Sequence, residues 1–480
     1  MPTPISSRLI PPLRFDSPAV LPHSYFWTLD HSTNWMLDDP GMLNFGTGNR
    51  YLKRPETFLE DYRRLTDVTA ALGIKSIVVW GFLRDSHGGI DYARRVAEYA
   101  ASRGVAIMPG VGTTSYGGIY YEGNHPYNIQ TFLRRYPDAH RVSEPGVASD
   151  GNGVCPSHPA FLDWLREGLH WLFDQFPIGG VNLENGDYTV CHCPRCKERM
   201  ASWPADDCDF FRFQAMSYIP AVEFLRPHLK DKLITWATYT GFAFGMSPEN
   251  RDHGRYIGDR PPAILDRIDP DAVAQWTMTG MVRPNTPYPA PVPLAAFLDD
   301  GAPAIAFEHP RWPANVRPTA RRSVGFFHQG SQWHGVARRY ACILGTIKEA
   351  CLRAARAGFE GLGTHGEVTA RCTPWLLNYL AFAHFTHRPE DSLRQFGSQT
   401  LATVLGNPDD GAAFVEVLAH WEAKSLTQDH RSLVKSRYDE IVRNVAAGKV
   451  DSLQPLQLWQ WLDKLIEFPA GDPSPSVLMI

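Results

Sequence analysis

The chain has 480 residues, 44% of them hydrophobic and 20% charged, with a formal net charge of -4 at neutral pH. That usage excludes a disordered chain, and the near-balanced charge excludes non-specific binding to nucleic acid or to an anionic membrane surface. No uninterrupted apolar stretch reaches the ~20 residues of a spanning helix, and the start MPTPISSRLIPPLRF lacks the apolar core of a secretory signal, so a protein with no membrane partner and a cytoplasmic location is expected.

Strand and helix signals then alternate. An apolar run at 23–29 reads as the first strand, followed by a helix over 56–72 that stops at Gly73, the residue type that commonly closes a helix. Next come a strand at 76–80, a helix at 91–102 stopped by Gly104, and a strand at 105–109. The connection from Gly110 to Ser157 exceeds the roughly 12 to 15 residues of an ordinary structureless loop and reads as a functional cover for one end of the fold. A helix at 159–176 feeds a strand at 178–183, and a helix at 210–229 and a strand at 233–239 follow. Helix 262–268, strand 273–277, helix 294–298, strand 304–307, helix 338–357 and strand 359–363 complete eight units. Such alternation predicts an α/β fold, a TIM (β/α)8 barrel spanning 21–373 behind an N-terminal extension, 1–20. From 374 to 480 the strand signals stop, and amphipathic stretches at 375–385, 392–405, 412–424 and 430–446 predict an α-helical C-terminal subdomain.

Barrel enzymes keep their chemistry where strands end, and polar residues gather at those positions here: Asp30 and His31, Arg84 and Asp85, Glu184 and Asp187, Thr238 and Tyr239, Thr277, Glu308 and His309, His365 and Glu367. The run IGGVNLENGD is the most pointed, an apolar strand ending in two carboxylates. Burying ionisable groups is costly unless they are paired or used, so their density argues for an enzyme over a non-catalytic carbohydrate-binding barrel. Glycoside cleavage requires one group to protonate the leaving oxygen and another to attack or to activate water. Glu184 after the fourth strand and Glu308 after the seventh are the first pair on this reading. The structural alternatives are an ion pair for Glu184, a loop cap for Glu308 and a turn acceptor for Asp187 within Asn185-Gly186. Trp80, Tyr239, Trp276 and His365 are candidate substrate contacts, against ordinary core positions for the aromatics and a turn for His365.

The run GGVNLENGDYTVCHCPRCKERM, the strand-end acids and the segment LNYLAFAHFTHRPEDSLRQFGSQTLATVLG resemble the α-glucuronidase and α-N-acetylglucosaminidase group of barrel glycosidases. The resemblance implies a glycoside hydrolase acting on the end of a glycan with an acidic or acetamido sugar, Glu184 as acid or acid/base and Glu308 as nucleophile or base; it assigns Asp187 no role. A second, three-residue resemblance is to inverting barrel sialidases: Asp30 ends the first strand, and Arg135 and His140 lie in the long third connection. It implies an Asp30/His140 pair with Arg135 on the substrate carboxylate. That chemistry is coherent, since a carboxylate nucleophile is repelled by an acidic anomeric centre and an arginine fork matches a carboxylate. The other reading of these residues is a turn cap, a loop histidine and a solvated arginine.

Eight cysteines include the cluster Cys191, Cys193 and Cys196. Its C-x-C-x-x-C spacing suits either a structural zinc, with Cys208 as a fourth ligand, or reduced thiols that pack a loop. No catalytic cofactor or metal is expected, as no H-E-x-x-H or similar cluster occurs. Cys155 before Pro156 has no general base identifiable beside it. The segment 314–336, with His328, Gln329, Trp333 and His334, reads as a lid or a homodimer contact.

Overall fold

The computed structural model describes residues 10–36, 53–143, 145, 151, 153–185, 190–203, 209–237, 266–279, 293–301, 322–327, 342–449 and 453–470. Eight parallel strands close into a barrel in chain order: β1 Tyr25–Leu29, β2 Ser76–Trp80, β3 Ala106–Val111, β4 Gly180–Leu183, β5 Leu233–Ala237, β6 Val273–Thr279, β7 Ser323–Phe327 and β8 Gly361–His365. Closure is made by β1 and β8, which pair Tyr25 with Gly363 and Trp27 with His365. The expected TIM barrel is present, with one strand moved. The seventh stave is Ser323–Phe327, paired to β6 and β8, whereas the strand expected at 304–307 lies outside the described residues. Both stretches are short apolar runs, and a strand buried on two faces carries no alternation to tell them apart.

Inward and outward side chains alternate along each stave. Tyr25, Trp27, Leu29, Val78, Trp80, Met108, Val273, Val324 and Phe326 fill the lumen as one cluster. Phe26, Ile77, Val79, Ile107, Val181, Leu183, Trp236, Trp276 and Leu362 face the helices and belong to the large outer core. Amides complete the interior. Asn182 on β4 accepts from Trp80 Nε1 at 3.2 Å and donates to Thr235 Oγ1 and Gln275 Oε1, which in turn accepts from Tyr25 Oη. Those buried polar groups are thus supplied with partners inside the barrel.

Helix Gly89–Ser102 shows how the outer layer forms: Ala93, Val96, Ala97 and Ala100 recur three and four residues apart and are its buried stripe. The connection from β3 to β4 is not structureless. Asn128 caps a helix, Ile129–Arg135, by accepting from Gln130 N and Thr131 N, and a 3-10 turn follows at Pro137–Ala139.

After β8, helix Thr373–His387 is apolar on every side and buried almost throughout, as expected of a helix with neighbours all round. On the barrel side its Tyr379 and Phe382 meet Phe26 of β1, with ring centroids 5.0 and 5.8 Å apart. Helices Pro408–Glu422, Gln428–Ala446 and Gln454–Leu465 follow, and Phe414, Trp459 and Trp461 join the same core that coats the barrel. Part of the N-terminal extension packs there too: Ile10 is fully buried and Phe15 stacks on His387. No helix among the described residues is long and apolar enough to cross a membrane.

Candidate active site

The C-terminal rim of the barrel collects residues from five of its staves. Glu184 directly follows β4, two residues beyond the inward-facing Asn182, so alternation directs it over the lumen. It is 8% exposed, and its charge reaches Tyr25 inside the barrel, whose hydroxyl is pushed up by burial first and by Glu184 second. Below it lies an aromatic wall. Trp80 packs edge-on to Tyr116 at 5.2 Å and near Tyr121 and Trp27; Trp27 in turn meets His365 edge-on at 5.2 Å and Phe326 at 5.7 Å. Tyr116 holds φ at +51°, a conformation that a bulky residue adopts at a cost of about 1 kcal/mol or more and that recurs in functional loops.

Asn185, read from sequence as part of a turn, instead locks the rim. Its carbonyl accepts from Thr114 N at 2.9 Å and Ser115 Oγ at 3.1 Å, while its amide donates to Thr113 Oγ1 and to Ser217 Oγ. The loop after β3, the end of β4 and helix Asp209–Phe224 are thereby fixed around Glu184.

At the end of β1, Asp30 is fully buried and receives Arg84 Nε at 2.7 Å, with His31 Nδ1 at 3.2 Å and His87 Nε2 at 3.4 Å. Burial alone would raise its pKa, but Arg84, His87 and His31 outweigh it and hold the carboxyl well below the usual range. Arg84 also pairs with Glu122 and lies over the Tyr121 ring. Glu367 Oε1 accepts from Leu29 N and Ser32 Oγ, both at 2.9 Å, and its other oxygen stands 3.8 Å from His365 Nδ1.

Of the residues singled out in sequence, Trp80 and His365 line the upper lumen and the register of β4 directs Glu184 over it, whereas Asp30, one residue beyond the inward-facing Leu29, is sealed among Arg84, His31 and His87. Trp276 does not line the lumen. Val273 and Gln275 point inward, so Trp276 faces the helix layer, where its Nε1 donates to Ser323 Oγ. His140 and Arg135 are exposed on the β3–β4 connection; His140 bridges Val154, and Arg135 lies over Tyr136. Asp30 is sealed among Arg84, His31 and His87, while His140 is exposed on the connection, with no hydrogen bond or ion pair between the two. Glu308, Asp187 and Tyr239 lie outside the described residues. Glu308 does not end the seventh strand, because β7 begins at Ser323, fifteen residues beyond the glutamate.

Sequence reasoning passed over His87, Glu122, Asn182 and Asn185. Only Asn185 carried a local signal, its place beside Glu184. It also missed the partner of the cysteine cluster: Cys155 lies within the same group as Cys191, Cys193 and Cys196, all four buried. Cys208 is outside the described residues.

No known family profile and no curated protein matches this chain. Solved structures similar to it include glycoside hydrolases. A GH20 exo-β-N-acetylglucosaminidase from Vibrio harveyi, in complex with N-acetylglucosamine, is 12% identical with a TM-score of 0.41, over 78% of this chain and 55% of that one. An α-amylase from Geobacillus thermoleovorans complexed with acarbose is 11% identical with a TM-score of 0.42, over 78% of this chain and 80% of that one. α-L-Fucosidase isoenzyme 2 from Paenibacillus thiaminolyticus is 13% identical with a TM-score of 0.41, over 75% and 49%. The chain spans about half the length of the Vibrio enzyme. These structures lend the sialidase resemblance no support, and the likeness is one of chain layout.

Proposed function

We propose that the chain is a glycoside hydrolase in which Glu184 protonates the leaving oxygen at the C-terminal end of the barrel. The observation that carries this reading is the register of β4, which directs a carboxyl over a lumen walled by Trp27, Trp80, Tyr116 and Tyr121. A carboxylic acid at that position serves inverting and retaining cleavage alike, and aromatic faces suit the apolar face of a pyranose. Asn185, immediately next in the chain, fixes the backbone from which Glu184 projects, and such preorganisation keeps a proton donor within reach of its target. Arg84 is occupied by Asp30 and Glu122, so it serves the rim's architecture more readily than a substrate carboxylate.

The finer proposals are an exo-acting enzyme, a terminal sugar that is acidic or acetamido, and a second carboxylate, for which Glu308 keeps only the role the resemblance implies, without the strand-end position first expected of it. They rest on the family resemblance. A panel of aryl glycosides, including hexosaminides, glucuronides and sialosides, tests the class, with calorimetry on the same compounds. Hydrolysis of one member by the wild-type chain, reduced at least about 10²-fold in Glu184→Gln at unchanged fold, is the expected result. Glu308→Gln run alongside decides the second carboxylate. Binding without hydrolysis would convert the reading to a carbohydrate-binding barrel, and undiminished turnover by Glu184→Gln would remove the proposed proton donor.

A further inference from the structure

Three of the four clustered cysteines follow β4 closely, and the fourth, Cys155, comes from within the β3–β4 connection. Cys155 is brought in by the antiparallel bridge between His140 and Val154 and by the bonds Val154 N to Thr114 O and Cys155 N to Ala139 O. Cys193 is the N-cap of helix Pro194–Ala201, and Cys196 lies in its first turn. Every pair of sulfurs in the group lies within 4.8 Å, with Cys155 Sγ 3.6 Å from Cys193 Sγ and 3.5 Å from Cys196 Sγ. A tetrahedral ion with metal–sulfur bonds of about 2.3 Å sets its ligand sulfurs about 3.8 Å apart. A disulfide sets its two at about 2.05 Å. The spacing here is that of a shared central ion, and all four cysteines are free.

The surroundings match as well. Val142 N donates to Cys191 Sγ and Cys196 N donates to Cys193 Sγ, each at 3.4 Å, the backbone support that orients thiolate ligands. Ser157 Oγ stands 3.3 Å from Cys196 Sγ, and Arg199 donates to the Pro156 carbonyl next to Cys155. Positive charge and a helix N-terminus beside four thiolates offset the excess negative charge that a divalent ion leaves. Val190, Met200, Phe213 and Met216 share one buried apolar cluster with the four cysteines, and Trp203 packs against it; four sulfur ligands complete a tetrahedral shell, the arrangement of structural and not catalytic zinc.

We infer that Cys155, Cys191, Cys193 and Cys196 form a four-thiolate structural zinc site that clasps the β3–β4 connection to the segment following Glu184. The inference stands apart from the glycosidase reading. Four deprotonated sulfurs replace the water ligands of one Zn2+, and their protons leave to solvent. Four thiolates fill a tetrahedral shell, so the inferred site requires no part of Cys208.

The test uses the full chain, purified under reducing conditions without chelator or metal-affinity resin. Elemental analysis is expected to find about one zinc per chain. Replacement by Co2+ is expected to give the intense thiolate-to-cobalt band and visible ligand-field bands of a tetrahedral four-sulfur site. Cys155→Ser is expected to lower zinc content below half or to alter the cobalt spectrum to a three-sulfur pattern, while Cys208→Ser leaves both unchanged. If Cys155→Ser does not fold, the wild-type spectrum still decides. Wild-type protein that holds less than about a tenth of an equivalent of zinc, and shows no thiolate–cobalt band, overturns the inference, as does loss of metal in Cys208→Ser with retention in Cys155→Ser.

Discussion

Arg84 provides an internal comparison between a sealed and an open carboxylate, since Asp30 and Glu122 pair with the same guanidinium and are 0% and 35% exposed at the side chain. At about 3 Å and an effective dielectric of about 20, the gross attraction of such a pair is on the order of 5 kcal/mol. For Asp30 the counter-ion cannot be replaced by water. Asp30→Asn therefore leaves Arg84 buried with only its outer partner, and breaking a sealed pair from one side costs about 3 to 5 kcal/mol. Glu122→Gln removes a charge that water can substitute, for about 1 kcal/mol or less. Urea unfolding at pH 7 of the two variants measures both values. In a double-mutant cycle, Asp30→Asn with Arg84→Met is expected to be at least about 2 kcal/mol less destabilised than the sum of the single changes, because no orphaned charge remains. If Asp30→Asn unfolds within about 0.5 kcal/mol of wild type, or costs no more than Glu122→Gln, the argument that burial sets the value of this pair is wrong. The carboxyl is held below its ordinary range in the fold, so its contribution is full above about pH 4 and fades as acidification proceeds below that value.

His87 gives a pH dependence of its own. Burial first, with Arg84 adding to it and Asp30 opposing, lowers its pKa to about 3, so between that value and about 6.5 the unfolded chain binds a proton that the folded chain does not. Stability should therefore fall on acidification from pH 6.5 to 5 by about 1.6 kcal/mol more in wild type than in His87→Gln, and equal slopes in urea titrations would discount the effect. Gly81 has φ +85° and a Cβ there would lie 2.1 Å from Asp30 Cγ, whereas Gly104, at φ +71°, has nothing within 4 Å. Gly104→Ala is expected to lose the roughly 1 to 2 kcal/mol of a left-handed residue alone, and Gly81→Ala distinctly more through displacement of Asp30; similar melting temperatures for the two would contradict the packing argument.

The barrel was legible because seven staves carry compact apolar runs separated by helix punctuation, as in 76–80 ended by Gly81 or 178–183 ended by Glu184. The seventh was misplaced because SVGFF and AIAF are equally plausible buried strands, and only pairing with β6 and β8 distinguishes the one seen. Glu184 was legible because a strand end fixes position and facing together. Trp276 was not, since Val273, Ala274, Trp276 and their neighbours are apolar on both faces and the parity of the strand emerges only when Gln275 meets Asn182. Asp30 looked like a reagent in sequence; Arg84 and His87, more than fifty residues downstream, make it a sealed ion pair. Cys155 was invisible for the same reason, its company being settled by the folding back of the β3–β4 connection.

The amide relay through Trp80, Asn182, Gln275 and Tyr25 has a bearing on traffic. Side chains from β1, β2, β4 and β6 meet across the lumen there and plug it, so the barrel has no back door. A packed floor of this kind confines any ligand to the rim, whichever part of a chain it offers.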